Sequence, residues 1–316
     1  MMHWHRQIAG FCAVFGLLLT DSAAYAQGVA PTPPTISAAS PPASATLEKI
    51  AQYGTIYVGH RESSVPFSYL VDGNVVGYAV DLCQQVTEAI KLRLNRPDLA
   101  VVPVPVTSSS RQLILESGVI DMECGSTTNT EQRQRYVAFS VTNFVVGIKA
   151  LVKKDSGIRS VKDMKGKTVV TTGGTTSDTY IKSAAARQGF FLNYRVGRDH
   201  GDSLSLLLRG DANAMVLDDV LLSGLLMNVP EADAYKLVLL EENYGVEPYA
   251  IMLRRNDPEF KKLVDDTLIA LMKSGEMNRL YDKWFTSPIP PKGGNLNLPM
   301  SDLLKQLILT PNDKGV

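Results

Sequence analysis

The sequence predicts an α/β protein of two lobes, each a mostly parallel sheet flanked by helices. Past residue 47, strand-like and helix-like segments alternate as βαβαβ, an order that places helices on the faces of a parallel sheet. The pattern then runs a second time. Both "RQLILESGVIDMEC" (111–124) and "LSLLLRGDANAMVLD" (204–218) give an apolar helix, a glycine, a polar turn and a strand, and two lobes of similar local architecture account for this better than one long sheet. A length of 316 residues suits two lobes of ordinary size.

The elements follow in order. "MMHWHR" and the apolar "IAGFCAVFGLLL" precede "SAAYAQ", whose small residues Ala24 and Ala26 mark a signal peptide over 1–26 with cleavage after Ala26. The apolar run is short for a membrane span, and the context of Cys12 does not suggest lipid attachment. Residues 27–46, rich in Ala, Pro, Ser and Thr with almost no charge, read as a flexible linker. "TIYVGHR" is a strand, "YAVDLCQQVTEAIKLRL" a helix with an apolar stripe, and "LAVVPVPV" a strand whose prolines favour an edge. "RQLILESG" is a short helix closed by Gly118, and "VIDMEC" is the next strand. "KTVVTTGGTTSDTYIKSAAARQG" is a strand, a glycine turn and a helix stopped by Gly189. "AIMLRR" is strand-like. The following helix is capped by Asp257, opened by Pro258 and closed by Gly275; "EMNRLYDKWF" continues it and "SPIPPKGG" ends it.

Composition excludes several functions. The formal net charge is zero, which argues against a nucleic-acid binder, so affinity for an anion has to come from a local cluster. No Walker lysine and no G-x-G-x-x-G or G-x-S-x-G motif is present, and His60 and His200 lack metal-ligand spacing. No cofactor or metal is expected. Cys83 on a helix stripe and Cys124 on a strand face read most simply as small buried side chains; export also permits a disulfide between them.

Hydroxyls and glycines cluster where strands stop and helices start: "GHRESS" (59–64), "TSSSR" (107–111), "GSTTN" (125–129), "TTGGTTS" (171–177) and "DHGDS" (199–203). A single such cluster is ordinarily a helix cap. Five of them, three with Arg or His, point to a shared anion site at the carboxyl ends of the strands. Arg61, Arg111 and Arg133 each follow such a turn, and a guanidinium matches a carboxylate with two parallel hydrogen bonds. Arg135, two residues from Arg133, points elsewhere on a helix and reads as surface. Asp218 and Asp219 end a strand, where one can accept from an ammonium and the other cap the next helix.

In these motifs, and in "LRRNDPEFKKLVDDT" and "DKWFTSPIPPK", the chain from about 47 to 313 resembles the periplasmic amino-acid-binding proteins of ABC transporters, above all the glutamate/aspartate-binding branch. The resemblance implies a type II periplasmic-binding-protein-like fold, with ligand between two lobes joined by two crossing strands. The first lobe would be 47–147 plus 249–316 and the second 148–248. It further implies that Arg133, Ser126 and Thr128 bind an α-carboxylate and Asp218 an α-ammonium. Arg61, Arg111, His200 and Ser108 would surround a side-chain carboxylate, with Thr172 and Thr175 contributing from the second lobe. Three arginines less one aspartate give the site about +2, with His200 neutral. The expected ligand is L-glutamate or L-aspartate, the expected partner an inner-membrane ABC permease, and the expected state a monomer. The competing expectation is an enzyme of the same fold, a dehydratase acting on a dicarboxylate with Glu62 or Glu123 as its acid.

Overall fold

A computed structural model of the chain describes residues 44–230, 232, 235–239 and 246–316. The signal peptide and nearly all of the expected linker lie outside the described residues. The linker ends earlier than expected. Ser44 accepts from the Leu47 amide, and helix α1 (Ala45–Tyr53) runs to Gly54 in the left-handed region.

After α1 come β1 (Thr55–His60), a meander of β2 (Ser63–Ser64), β3 (Ser68–Val71) and β4 (Asn74–Val76), then α2 (Tyr78–Leu94) and β5 (Ala100–Pro105). These are followed by α3 (Arg111–Glu116), β6 (Met122–Cys124), α4 (Glu131–Gln134), β7 (Val137–Phe139) and β8 (Phe144–Val146). The next sheet is built from β9 (Ile148–Lys153), β10 (Thr168–Thr172), α5 (Thr176–Arg187), β11 (Asn193–Gly197), α6 (His200–Leu208), β12 (Ala214–Asp218), α7 (Asp219–Leu226) and β13 (Tyr235–Leu239). The chain returns through β14 (Glu247–Tyr249) to β15 (Met252–Arg254), α8 (Pro258–Ser274), α9 (Glu276–Tyr281) and α10 (Asp302–Leu309).

The two five-stranded sheets share one plan. The first is ordered β5-β1-β6-β15-β7 and the second β11-β10-β12-β9-β13. Three parallel strands stand on one side of each, and the fourth position is antiparallel: β15 beside β6 and β9 beside β12. The mostly parallel expectation therefore needs one antiparallel strand per sheet. Both of those strands follow a crossing strand, β8 before β9 and β14 before β15, and β8 and β14 pair antiparallel (Phe144↔Tyr249). The proline-bearing β5 takes the edge, where a missing N–H costs no ladder bond.

Helix faces explain the packing. The buried positions of α8 are Phe260, Val264, Leu268 and Met272, a stripe four residues apart that faces the core. Asp257 caps α8 through the Phe260 amide (3.1 Å) and also takes Ser44 Oγ (2.9 Å) and the Thr46 amide (2.8 Å), so one carboxylate ties the start of α1 to the start of α8. Behind the crossing strands sits an aromatic group. Phe144 stacks on Phe285 at 4.6 Å, Tyr281 on Phe285 at 4.5 Å, and Phe67 meets Tyr249 edge-on at 5.2 Å, each pair worth about 0.5–1.5 kcal/mol beyond burial. The cysteines are bonded, which corrects the simpler reading. α2 lies across the sheet, and the two Cα atoms stand 6.2 Å apart, within disulfide reach. Among the described residues, no helix is long and apolar enough to cross a membrane.

Candidate functional site

The polar turns singled out in the sequence meet between the two sheets, at the carboxyl ends of β1, β5, β6, β10 and β11. The lobes touch there. The Gly201 amide donates to Ser63 Oγ (3.2 Å), and Arg133 Nη2 donates to the Gly174 carbonyl (3.0 Å). Gly174 is required twice over: its φ is +79°, and a Cβ would lie 2.7 Å from Ser109 Cα of the opposite lobe. A Cβ at Gly125 would stand 2.4 Å from Glu123 Oε1 and 2.7 Å from Arg61 Cγ.

One end of the site is cationic. Arg61 is 1% exposed, its amide donates to Ser68 Oγ (2.9 Å), and Nη1 and Nη2 have no partner. Burial first, and the Arg111 charge second, lower its pKa to about 10, so it stays protonated at neutral pH. Arg111 is buried too, but Nη1 donates to the Ser126 carbonyl (3.1 Å) and to Thr127 Oγ1, and pairs with Glu123 Oε1 at 3.8 Å. His200 is buried, with Nδ1 3.0 Å from Thr172 Oγ1 and Nε2 without a partner. Burial, then Arg61 and Arg111, hold its pKa well below the usual value, so the imidazole is neutral. The buried hydroxyl of Ser108 also lacks a partner.

The other end is acidic. Asp218 takes Ser177 Oγ at 2.9 Å and the Tyr249 hydroxyl, and its pKa is pushed up to about 7 by burial first and the Glu247 charge second. Glu247, 3% exposed, accepts from Thr128 Oγ1 (2.8 Å) and Thr176 Oγ1 (2.7 Å). Between the two ends stands Arg133, whose Nη1 donates to the Thr128 carbonyl at 2.7 Å. Burial and then Arg111 lower its pKa to about 10. A cavity of about 790 Å³ opens beside this acidic end, lined by Gln112, Arg133, Tyr136, Thr176 and Glu247 and not by Arg61, Arg111 or His200.

The structure brings all ten expected positions to this interlobe face but gives some hydroxyls other work. Thr175 caps α5 through the Asp178 amide (3.1 Å) and donates to the Thr172 carbonyl (2.8 Å). Ser126 Oγ donates to Ser64 Oγ (3.2 Å). Arg135 is exposed, as expected. The +2 charge expectation is corrected, because Glu123 and Glu247 bring two further carboxylates to the site. Sequence reasoning passed over Glu247, Tyr249 and Thr176. The signal available was "VEPYA", the segment that has to recross between the lobes.

Comparison with known proteins agrees with this architecture. The chain is 46% identical over 278 residues to the glutamate/aspartate import solute-binding protein of Salmonella typhimurium, covering 88% of this chain and 91% of that one. It is 46% identical over 272 residues to the L-glutamate/L-aspartate-binding protein of Pseudomonas aeruginosa, covering 85% and 89%. The crystal structure of a mutant ArgBP from T. maritima superposes with a TM-score of 0.66 at 29% identity, over 76% of this chain and 99% of that one. With residues 56–287 matching the family model and a two-sheet plan shared with solved relatives, the chain belongs to the bacterial extracellular solute-binding proteins, family 3.

Proposed function

We propose that the protein captures L-glutamate or L-aspartate between its lobes and delivers it to an ABC permease of the inner membrane. In this reading the signal peptide exports the chain to the periplasm, residues 47–147 with 249–316 form one lobe, and 148–248 form the other. The observation that carries the ligand class is Arg61, buried with both terminal nitrogens unpartnered and near enough to His200 for its charge to lower the imidazole pKa, while His200 Nε2 and Ser108 Oγ are also buried without partners. A side-chain carboxylate satisfies all of these donors. It selects the imidazole tautomer with hydrogen on Nε2, Nδ1 then accepting from Thr172. A neutral glutamine or asparagine leaves the buried Arg61 guanidinium without a charged hydrogen-bond partner, a penalty of up to about 3–5 kcal/mol.

Arg133 faces the α-carboxylate and Asp218 the α-ammonium. Thr128 has a single hydroxyl proton, and it goes to Glu247. Its oxygen therefore accepts from the ammonium, while its backbone N–H serves the carboxylate. Thr172 and Thr175 contribute from the second lobe, Thr175 through its backbone because its hydroxyl is the α5 cap. Ligand selects the closed form and no covalent step is involved. Glu123, one of the two candidate acids for an enzyme, is tied to Arg111 and takes the Thr127 hydroxyl at 2.5 Å.

A thermal-shift and calorimetric screen of the twenty amino acids and simple dicarboxylates tests this. Glutamate at 1,000 times its Kd adds about 4 kcal/mol of stability, which raises Tm by on the order of 10 °C. A shift with glutamine and none with glutamate or aspartate sinks the assignment; turnover of a dicarboxylate without amino-acid binding favours the enzyme.

A further inference from the structure

The crossing strand β14 carries two inward side chains, Glu247 and Tyr249, two residues apart and so on the same face of the strand. The turn that bears Thr128 is bonded along this strand. The Asn129 amide donates to the Pro248 carbonyl (2.8 Å), and the Ala250 amide donates to the Thr127 carbonyl (3.2 Å). Thr128 therefore moves with β14, and its 2.8 Å bond to Glu247 lies within one body. Thr176 does not belong to that body. It opens α5 in the second lobe, and it donates to the same Oε2 at 2.7 Å.

We propose that Glu247 is a positioning residue for ligand retention: mounted on the returning crossing strand, its carboxylate latches Thr176 of the second lobe to the Thr128 turn of the first when the lobes close. The proposal rests on the solute-binding reading and adds to it a residue that sets the lifetime of the closed form. Opening has to break the Glu247–Thr176 bond, a hydrogen bond to a buried charge; entry of ligand into the open form does not involve it. The latch touches neither the Arg61 end nor the side-chain subsite. It therefore acts alike on glutamate and aspartate.

Stopped-flow kinetics on wild type, Thr176→Val, Glu247→Gln and the double variant test the latch. Thr176→Val keeps the side-chain shape and removes the donor. It is expected to raise the dissociation rate about 10- to 100-fold, with the association rate not lowered and the glutamate-to-aspartate preference unchanged. Glu247→Gln moves the dissociation rate in the same direction, and the double variant is no faster than the faster single one, because both changes act on the Glu247–Thr176 contact, the glutamine also weakening the bond from Thr128. A purely structural role for Glu247 would lower the thermal midpoint of the ligand-free protein without this rate asymmetry. Unchanged dissociation in Thr176→Val, or additive effects in the double variant, overturns the proposal. Paired spin labels on the two lobes give a readout that needs no ligand: the valine variant is expected to shift ligand-free protein toward longer interlobe distances. No shift also overturns the latch, whereas a wild type that binds neither acidic amino acid overturns the functional reading and leaves this distance test standing.

Discussion

The cationic and acidic ends of the interlobe site are built on opposite principles. At the acidic end the carboxylates of Asp218 and Glu247 are met by hydroxyls of the protein itself, from Ser177, Tyr249, Thr128 and Thr176. At the cationic end Arg61, His200 and Ser108 are buried with donor atoms unmet. Acids in a dry site can also take up a proton, which reduces the cost of burial, and the raised pKa of Asp218 reflects this. A guanidinium has no such escape at neutral pH. The end that cannot neutralise itself depends most on a ligand, and discrimination belongs there.

The largest test replaces the two cations one at a time. Arg61→Met is expected to weaken glutamate and aspartate binding by roughly 10²- to 10³-fold, the equivalent of about 3–4 kcal/mol. It is also expected to raise the thermal midpoint of the ligand-free protein, because an unpartnered buried charge is gone. Arg111→Met is expected to move stability the other way, by about 3 kcal/mol or more, since Glu123 loses its buried counter-charge. Calorimetry and urea unfolding on both variants decide. Equal stability changes would mean that the two arginines do not differ as described.

A smaller test titrates the acidic end. Asp218 is perturbed by burial, by Glu247 and by Asp219, with Tyr249 and Ser177 bonded to it, and an ammonium needs it ionised. Binding should therefore release a proton below about pH 7, and affinity should fall up to tenfold per pH unit there. Without ligand the sign reverses. The native state holds the proton more tightly than the unfolded chain, so this group stabilises the free protein at pH 5 and loses that contribution as pH rises toward 7. Both slopes should vanish in Asp218→Asn. Calorimetry in buffers of different ionisation enthalpy counts the protons, and none released at pH 6 would place the ammonium elsewhere.

The fold was largely legible in the sequence because its signals are local. The stripe of α2 and the Asp257, Pro258 and Gly275 punctuation of α8 mark their own boundaries. The repeated helix–glycine–strand pattern became α3–β6 and α6–β12, whose strands occupy equivalent places in the two sheets. The strand expected from Val119 begins only at Met122: the Asp121 amide still donates to the Tyr57 carbonyl (2.8 Å), but the Tyr57 amide donates to the Asp121 carboxylate (2.9 Å), which also pairs with Lys49 (2.9 Å), and not to a backbone carbonyl. The clustering of the polar turns was also readable. Glu247 was not, because it meets Thr128 and Thr176 across 119 and 71 residues of chain. The disulfide escaped for the same reason: helix stripe and strand face were each readable, but not their meeting.

The place of β15, between β6 and β7, bears on how the chain comes off the ribosome. Every strand of the second sheet comes from the contiguous segment 148–239, whereas the first sheet has a gap at its fourth position until Met252–Arg254 is made. Asp257, which caps α8 and ties in Ser44 and Thr46, arrives later still. Contacts of such long sequence separation form slowly. The second sheet can thus form early, while the first waits for its fourth strand until most of the chain has been made.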